Sequence, residues 1–397
     1  MIGLSDDQPR ADRRKRLAGL LLLAVVLVAV VVIAPRLGPS PHRPIDRFEP
    51  PPPLAGPELV SRAGSVIDVD FASDGHGFAL WGRCTQPLDT QRCGPKLFVT
   101  EDGDRWHVRD FPMFAAIEVR SHHYRRQVVA LGGCNVAIGP VTGHRMFSDD
   151  CGRRWHVVLP TPKRTLAAIP DGAVLERYCA EQGRTSSACG DPRLVVIPPD
   201  SGRPTLLATE PAVDDPVPEP VPGPDGRWWV SGREPGTDRP VVAVSDDAGR
   251  TWSVTTLPLD GPADRVMLTS TQAGHAYAVA VSEVSAGTDE LVGIFHRADR
   301  GGWERTWDAT ASDAPVRVSG APIATSRHVL YLIARDGLRH YRSADHGRTF
   351  EARTVDRPVV SPRWTRGGYV ARSAQEPDRW FRASKGVRWQ PVAFPQP

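Results

Sequence analysis

The chain is poor in the residues and motifs that mark most enzyme classes. It has one asparagine, Asn135, and hence no N-glycosylation sequon. Four of its 49 Lys and Arg residues are lysines, a bias that a GC-rich genome explains. Cys-x-x-Cys is absent, which removes the usual structural-zinc and thioredoxin spacings. The glycine-rich phosphate loop, Gly-x-Ser-x-Gly and His-Glu-x-x-His are absent too, which argues against P-loop, α/β-hydrolase and zincin chemistry. A large charge excess is also missing. The net charge is +3, much of it carried before residue 17. The remainder of the chain is near neutral, and nucleic-acid binding, which needs a basic face, is not expected. No stretch after residue 35 carries a helical period.

Long uncharged runs are confined to one place. Leu17 to Ala34 is uncharged throughout and comes directly after Arg13-Arg14-Lys15-Arg16. A helix of that length would be ~27 Å long, close to the hydrocarbon thickness of a bilayer. Basic residues stay cytoplasmic, so residues 1–16 are expected inside and the chain beyond 34 outside. The run reads as a signal anchor at a cell membrane. A cleaved signal peptide is the alternative, but its apolar core would be shorter, Pro35 sits badly for cleavage, and no lipobox cysteine is present after it. Residues 35–57 are rich in proline, including Pro50-Pro51-Pro52-Pro53, and read as a stiff, extended linker.

Beyond the linker, residues 58–397 repeat. Ser245-Asp246-Asp247-Ala248-Gly249-Arg250-Thr251-Trp252 is the clearest copy of a Ser-x-Asp-x-Gly-x-x-Trp turn. The run from Ser148 through Asp150 and Gly152 to Trp155 matches it, as does the run from Ser343 through Asp345 and Gly347 to Phe350. Thr100 to Trp106, with Asp102, is one residue short. Arg297 to Trp303 keeps Asp299 but has lost the serine, and Arg382 to Trp389 keeps only glycine and tryptophan. Pro198 to Arg203 fills the remaining gap without an aromatic. Asp and Ser side chains accept hydrogen bonds from nearby N–H groups and close such a turn. Glycine supplies a backbone that a Cβ penalises, and the aromatic opens the next strand. The copies start at 100, 148, 198, 245, 297, 343 and 382, and strand-like segments lie between them. Spacings of this size with strand content predict an all-β, seven-bladed propeller of four-stranded antiparallel blades. Six blades is the alternative, because 165–225 is proline-rich and loses the pattern. In the second blade, Ile117–Val119, Val128–Leu131, Arg145–Ser148 and His156–Leu159 read as the four strands.

These turns resemble the boxes of BNR, or Asp-box, propellers. That superfamily includes sialidases, other glycosidases, sortilin-like receptors and photosystem assembly factors. The run from Val69 to Ala79 together with the 100–106 turn looks most like the assembly-factor type of blade. The resemblance implies that the boxes are structural marks on the outer rim, away from the ligand face.

Six cysteines fit an exported chain. Cys84, Cys134 and Cys179 are expected near the end of the second strand of the first three blades. Cys84 with Cys93, and Cys179 with Cys189, would then staple hairpins between second and third strands. Cys134 and Cys151 are left over, with Cys151 inside a box turn at the far end from the expected position of Cys134, and their pairing stays open.

Sialidase chemistry needs an arginine triad on the substrate carboxylate, a tyrosine nucleophile helped by a glutamate, and an aspartic acid. Family members carry an Arg-Ile-Pro-type signature in the first blade. None of Arg62, Arg83 and Arg92 begins such a signature, so no catalytic residue is assigned. Glu176-Arg177-Tyr178 brings the right types together, but neighbours on a strand face opposite ways. His122-His123 could bind a metal or protons, yet reads as a solvated turn. Trp228-Trp229 reads as core rather than as a sugar platform, and Asp68, Asp70 and Asp74 lack calcium-loop spacing. No cofactor or metal is expected. The preferred reading is a membrane-anchored, extracytoplasmic, non-catalytic module for a protein partner at the cell envelope. A divergent glycoside hydrolase or glycan binder is the alternative.

Overall fold

The computed structural model describes residues 64–396 apart from 74, 86–91, 113–126, 140–144, 163, 180–191, 260, 262, 286–287, 300, 310–312, 326–328 and 385; at 83–85, 92–94, 284–285 and 288 it describes the backbone only. All belong to the unit Pro57–Pro397. The expected anchor at 17–34, the linker and the His122-His123 pair lie outside the described residues. Among the described residues no helix is long and apolar enough to cross a membrane.

Seven sheets succeed one another along the chain. Blade 1 is β1 (Ser65–Phe71), β2 (Gly77–Thr85), β3 (Arg92–Thr100) and β4 (Trp106–Asp110). Blade 2 is β5 (Val128–Ala130), β6 (Val136–Ile138), β7 (Arg145–Ser148) and β8 (His156–Val158). Blade 3 is β9 (Thr165–Leu166), β10 (Val174–Cys179), β11 (Pro192–Ile197) and β12 (Thr205–Leu207). Blade 4 is β13 (Asp214–Pro218), β14 (Trp228–Arg233), β15 (Pro240–Ser245) and β16 (Ser253–Thr256). Blade 5 is β17 (Arg265–Ser270), β18 (Ala276–Ser285), β19 (Thr288–Arg297) and β20 (Trp303–Asp308), with β21 (Arg317–Val318) added against β19. Blade 6 is β22 (Ile323–Ala324), β23 (Leu330–Ile333), β24 (Arg339–Ser343) and β25 (Glu351–Thr354). Blade 7 is β26 (Val359–Thr365), β27 (Gly368–Ser373), β28 (Trp380–Ala383) and β29 (Gln390–Pro391).

The core is divided among the gaps between blades, because each strand sends alternate side chains to its two faces. Trp228 and Trp229 illustrate this. Trp228 packs with Leu175 and Leu194 of blade 3, and Trp229 packs with Val266 and Leu268 of blade 5. Both rings are buried, as the core reading expects. Seven such clusters occur among the described residues, one for each pair of adjacent blades, including blade 7 with blade 1. Seven blades rather than six is therefore the architecture.

Blade 3 departs from the plan, and proline explains part of it. β9 joins the outer edge, parallel to β12. At the inner edge of β10, Leu175 N–H donates to Pro220 O (2.9 Å). Pro220 belongs to a run with proline at every second position from 216 to 224. Glu219 N–H and Gly223 N–H donate to Trp229 O and Arg227 O (both 2.9 Å), on the side of β14. Pro220 and Pro222 offer carbonyls alone to the other side, where Leu175 N–H and Trp364 Nε1–H (3.0 Å) meet them. An extended run with proline at alternate positions has one ordinary edge and one edge that only accepts.

Blade 2 corrects the sequence reading. Val128–Ala130 is its first strand, not its second, and Val136–Ile138 is the second. Residues 117–119 lie outside the described residues. The shift moves Cys134 from a strand end to the turn between β5 and β6, at the same end of the blade as the box turn. Cys134 and Cys151 are disulfide-bonded with Cα atoms 4.4 Å apart, and Cys151 N–H donates to Cys134 O (3.0 Å). Cys84 stands opposite Cys93 in the β2–β3 register. Cys179 is disulfide-bonded, and Cys189 lies outside the described residues.

Candidate functional site

Three boxes share one hydrogen-bond pattern. Ser148, Ser245 and Ser343 donate from Oγ to Oδ1 of Asp150 (3.0 Å), Asp247 (2.8 Å) and Asp345 (2.7 Å). The same hydroxyl oxygens accept from Gly152, Gly249 and Gly347 N–H at 2.8, 2.8 and 2.7 Å. Each carboxylate then accepts N–H bonds from the residues leading to the aromatic, for example Thr251 N–H to Asp247 (2.9 Å). These bonds favour the charged form. Thr251 N–H and Oγ1–H hold Asp247 down at about 2. For Asp150 and Asp345 burial pushes upward, and hydrogen bonds from Arg154 and Thr349 outweigh it, leaving both at about 2. Two left-handed residues in succession make the turn: Cys151 and Gly152, Ala248 and Gly249, His346 and Gly347. A Cβ on Gly152 would stand 2.6 Å from Leu97, so the glycine is needed for space as well as conformation.

The weaker boxes deviate. Thr100 replaces serine and its Oγ1 accepts from Gly103 N–H (2.9 Å), while Asp102 accepts from Arg105 N–H (2.8 Å). Asp299 reaches blade 4, where Arg227 Nη2 donates to it (2.5 Å). The box aromatics pack toward the preceding blade: Trp155 on Phe111 (4.8 Å), Trp303 on Trp229 (6.2 Å), and Phe350 and Trp389 in the clusters shared with blades 5 and 6. Trp252 Nε1–H donates to Thr209 O (2.9 Å), and Trp106 packs on Phe394 (4.9 Å).

The axis is where a propeller enzyme would gather its charges, and here the described Asp68, Asp70, Arg363 and Arg366 bond to one another or to backbone. Asp68 Oδ2 accepts from Gln127 and Val128 N–H (2.8 and 3.0 Å), and Asp70 Oδ2 from Ala130 N–H (3.0 Å). These carboxylates join the first strand of blade 1 to that of blade 2. Arg363, from blade 7, donates to Asp68 Oδ1 (2.5 Å) and to Val69 O, with its guanidinium 5.8 Å from the Trp380 ring. Arg366 donates to Ala173 O in blade 3, and Arg382 to Gly367 O (2.8 Å) over the ring of Phe71. The cavity lined by Val221, Trp229, Leu268, Thr269, Pro322 and Trp364 measures about 10 Å³, room for one water.

Tyr369 is the buried phenol of this region. Its hydroxyl meets Thr269 Oγ1 (2.9 Å) and accepts from Ala324 N–H (3.3 Å). Burial pushes it up to about 12, the opposite of what a phenolate nucleophile requires. Glu176, Arg177 and Tyr178 do not converge. Glu176 accepts from Arg145 in blade 2 (2.9 Å), and Arg177 donates to Asp215 in blade 4 (3.0 Å).

At the other end of each blade lie the loops between second and third strands and those between blades. A cleft of about 310 Å³ opens there in blade 7, lined by Asp356, Arg357, Gln375, Glu376, Arg379 and Phe381. Its charges are mixed, with Arg379 donating to Glu376 (2.7 Å).

One cluster has no counterpart in the sequence reading. His275, His296 and His346 meet between blades 5 and 6 at the box end. They stand 21 and 50 residues apart along the chain, so no local spacing marks them.

No protein-family model matches the chain, and no curated protein matches it. Among solved structures it is similar to YCF48 from Cyanidioschyzon merolae (13% identity, 82% of this chain and 94% of that one, TM-score 0.44). It is also similar to BamB from Moraxella catarrhalis (14%, 75% and 76%, 0.40) and to virginiamycin B lyase from Staphylococcus aureus (13%, 81% and 95%, 0.44). At these identities and superpositions the likenesses say nothing about ligand or chemistry.

Proposed function

We propose that this chain is a non-catalytic recognition module that presents its propeller to a protein partner at the cell envelope. One observation carries the reading: among the described residues, the arginines and carboxylates named above at the axis close the ring instead of facing an open cleft. Arg363, Asp68 and Asp70 bind blades 7, 1 and 2 together, and Arg366 ties blade 7 to blade 3. A glycosidase needs two free carboxyl groups, or a tyrosine with its base, across a space that holds a sugar. A protein partner needs only a loop face, and the blade end opposite the boxes is where the chain makes its second-to-third-strand and inter-blade connections.

Three further parts of the reading rest on the sequence. The uncharged run 17–34 with its basic flank supports a single-pass anchor with the propeller outside. The proline-rich 35–57 supports a spacer. The shared box geometry supports placing the chain among the BNR, or Asp-box, propellers. A glycoside panel tests the non-catalytic claim: the purified full chain is expected to cleave no sialoside or other glycoside above a heat-denatured control. Turnover that a single carboxylate replacement abolishes, with the fold intact, would overturn it.

A further inference from the structure

We propose that His275, His296 and His346 form a binding site for a divalent transition metal of the zinc class. Each offers one ring nitrogen, and these atoms all lie within 4.8 Å of one another. His275 Nδ1 and His296 Nε2 are already 2.9 Å apart. Tetrahedral zinc with Zn–N of about 2.0–2.1 Å sets its nitrogens roughly 3.3 Å from each other. The first pair must therefore open slightly and the third nitrogen must close in.

The three elements allow that movement to different degrees. His296 is fixed: it is near the end of β19, paired with Tyr277 across the sheet, and 8% exposed. His275 closes the turn between β17 and β18, where Thr271 N–H donates to His275 O (2.8 Å). His346 sits in the left-handed slot of the sixth-blade box, the slot that Cys151 and Ala248 occupy in theirs. Both turn residues are half-buried, so two ligands can swing onto an anchored third. The His275 ring now stacks on the other two, at interplanar angles of 20° and 12°, while His296 and His346 are tilted by 33° with centroids 4.3 Å apart. Binding turns them edge-on, so that their in-plane lone pairs meet at one point.

Tyr277 OH lies 3.3 Å from His346 Nδ1, a neighbouring partner of the kind that orients a ligating imidazole. Asp345, next in the chain, is occupied by Ser343 and Thr349 and is not a fourth ligand. Three nitrogens leave a fourth position for water or an incoming group.

The test uses the purified full chain, stripped with a chelator and titrated with Zn²⁺ and Co²⁺. The expected result is saturable binding of one equivalent, a rise in Tm with Zn²⁺, and a Co²⁺ visible spectrum of four- or five-coordinate nitrogen ligation. His275→Gln and His346→Gln should each weaken binding by at least about tenfold, the lower bound for losing even a supporting partner. Both should melt like the parent in chelator, and His122→Gln/His123→Gln should bind normally. Unchanged affinity in H275Q and H346Q would overturn the proposal. Should either variant misfold, the parent's Co²⁺ spectrum decides alone: a weak octahedral spectrum would also overturn it.

Discussion

Ser245 is 1% exposed, and its hydroxyl both donates to Asp247 and accepts from Gly249 N–H. Removing it leaves a buried N–H without its acceptor. Ser245→Ala should lower unfolding free energy by about 1–2 kcal/mol, measured by denaturant titration. His340 is the opposite case. It is 2% exposed, and among the described residues neither ring nitrogen has a hydrogen-bond partner. An apolar side chain of similar size escapes that cost, so His340→Leu should stabilise by about 1 kcal/mol, and a lower Tm would count against this. Acid should act in two windows. Burial lowers His340 to about 4, and burial with its histidine neighbours does the same to His296. The unfolded forms take protons first, so stability falls as pH drops from about 6.5 to 4 in the metal-free chain. Asp150, Asp247 and Asp345 are held at about 2, so their contribution is complete above about pH 4 and is lost as pH falls toward 2. Melting curves at stepped pH should show both declines, and Asp247→Asn should shrink the second alone. The boxes are legible in sequence because serine, aspartate and glycine act within eight residues of chain. The three histidines are not, because only the packing of blade 5 on blade 6 brings them together.

At the scale of the strand, sequence is a poor guide where the chain carries no period. Three of blade 2's four strands are only three residues long, too short for alternation to register, and pattern alone takes its first strand for its second. That slip hides the geometry of Cys134 and Cys151, which the turn between β5 and β6 places beside the box. The bridge closes a loop with a sequence separation of 17. Replacing both cysteines by alanine should cost about 3 kcal/mol of stability in a denaturant titration. No change would mean that the backbone bond from Cys151 to Cys134 suffices. The alternating prolines of 216–224 obscure a real strand for another reason. Proline depresses strand expectation, yet at every second position it removes donors only from the edge that meets carbonyl-seeking groups. Pro220 is such a case, with its carbonyl on Leu175 N–H.

Blades 1 and 7 close the ring through side chains. Arg363 bonds Asp68, Trp380 Nε1–H donates to Val66 O (3.1 Å), and Phe394 stacks on Phe98 (5.6 Å). Asp68 is buried, so Arg363→Met strands its charge and should cost about 3–5 kcal/mol, read as a lower denaturation midpoint. The repeat makes the blade number legible in sequence. Ring closure is not, because Asp68 and Arg363 are separated by nearly the whole propeller. The same closure sets the functional reading, since charges that hold the ring are withdrawn from chemistry and leave the loop end for recognition. Crosslinking the full-length protein in its native cells, against a control carrying residues 1–57 alone, tests that most directly. The account predicts a reproducible protein partner that requires the propeller, crosslinked through loops at the end opposite the boxes. Absence of any partner above the control, or crosslinks confined to the boxes, would contradict it.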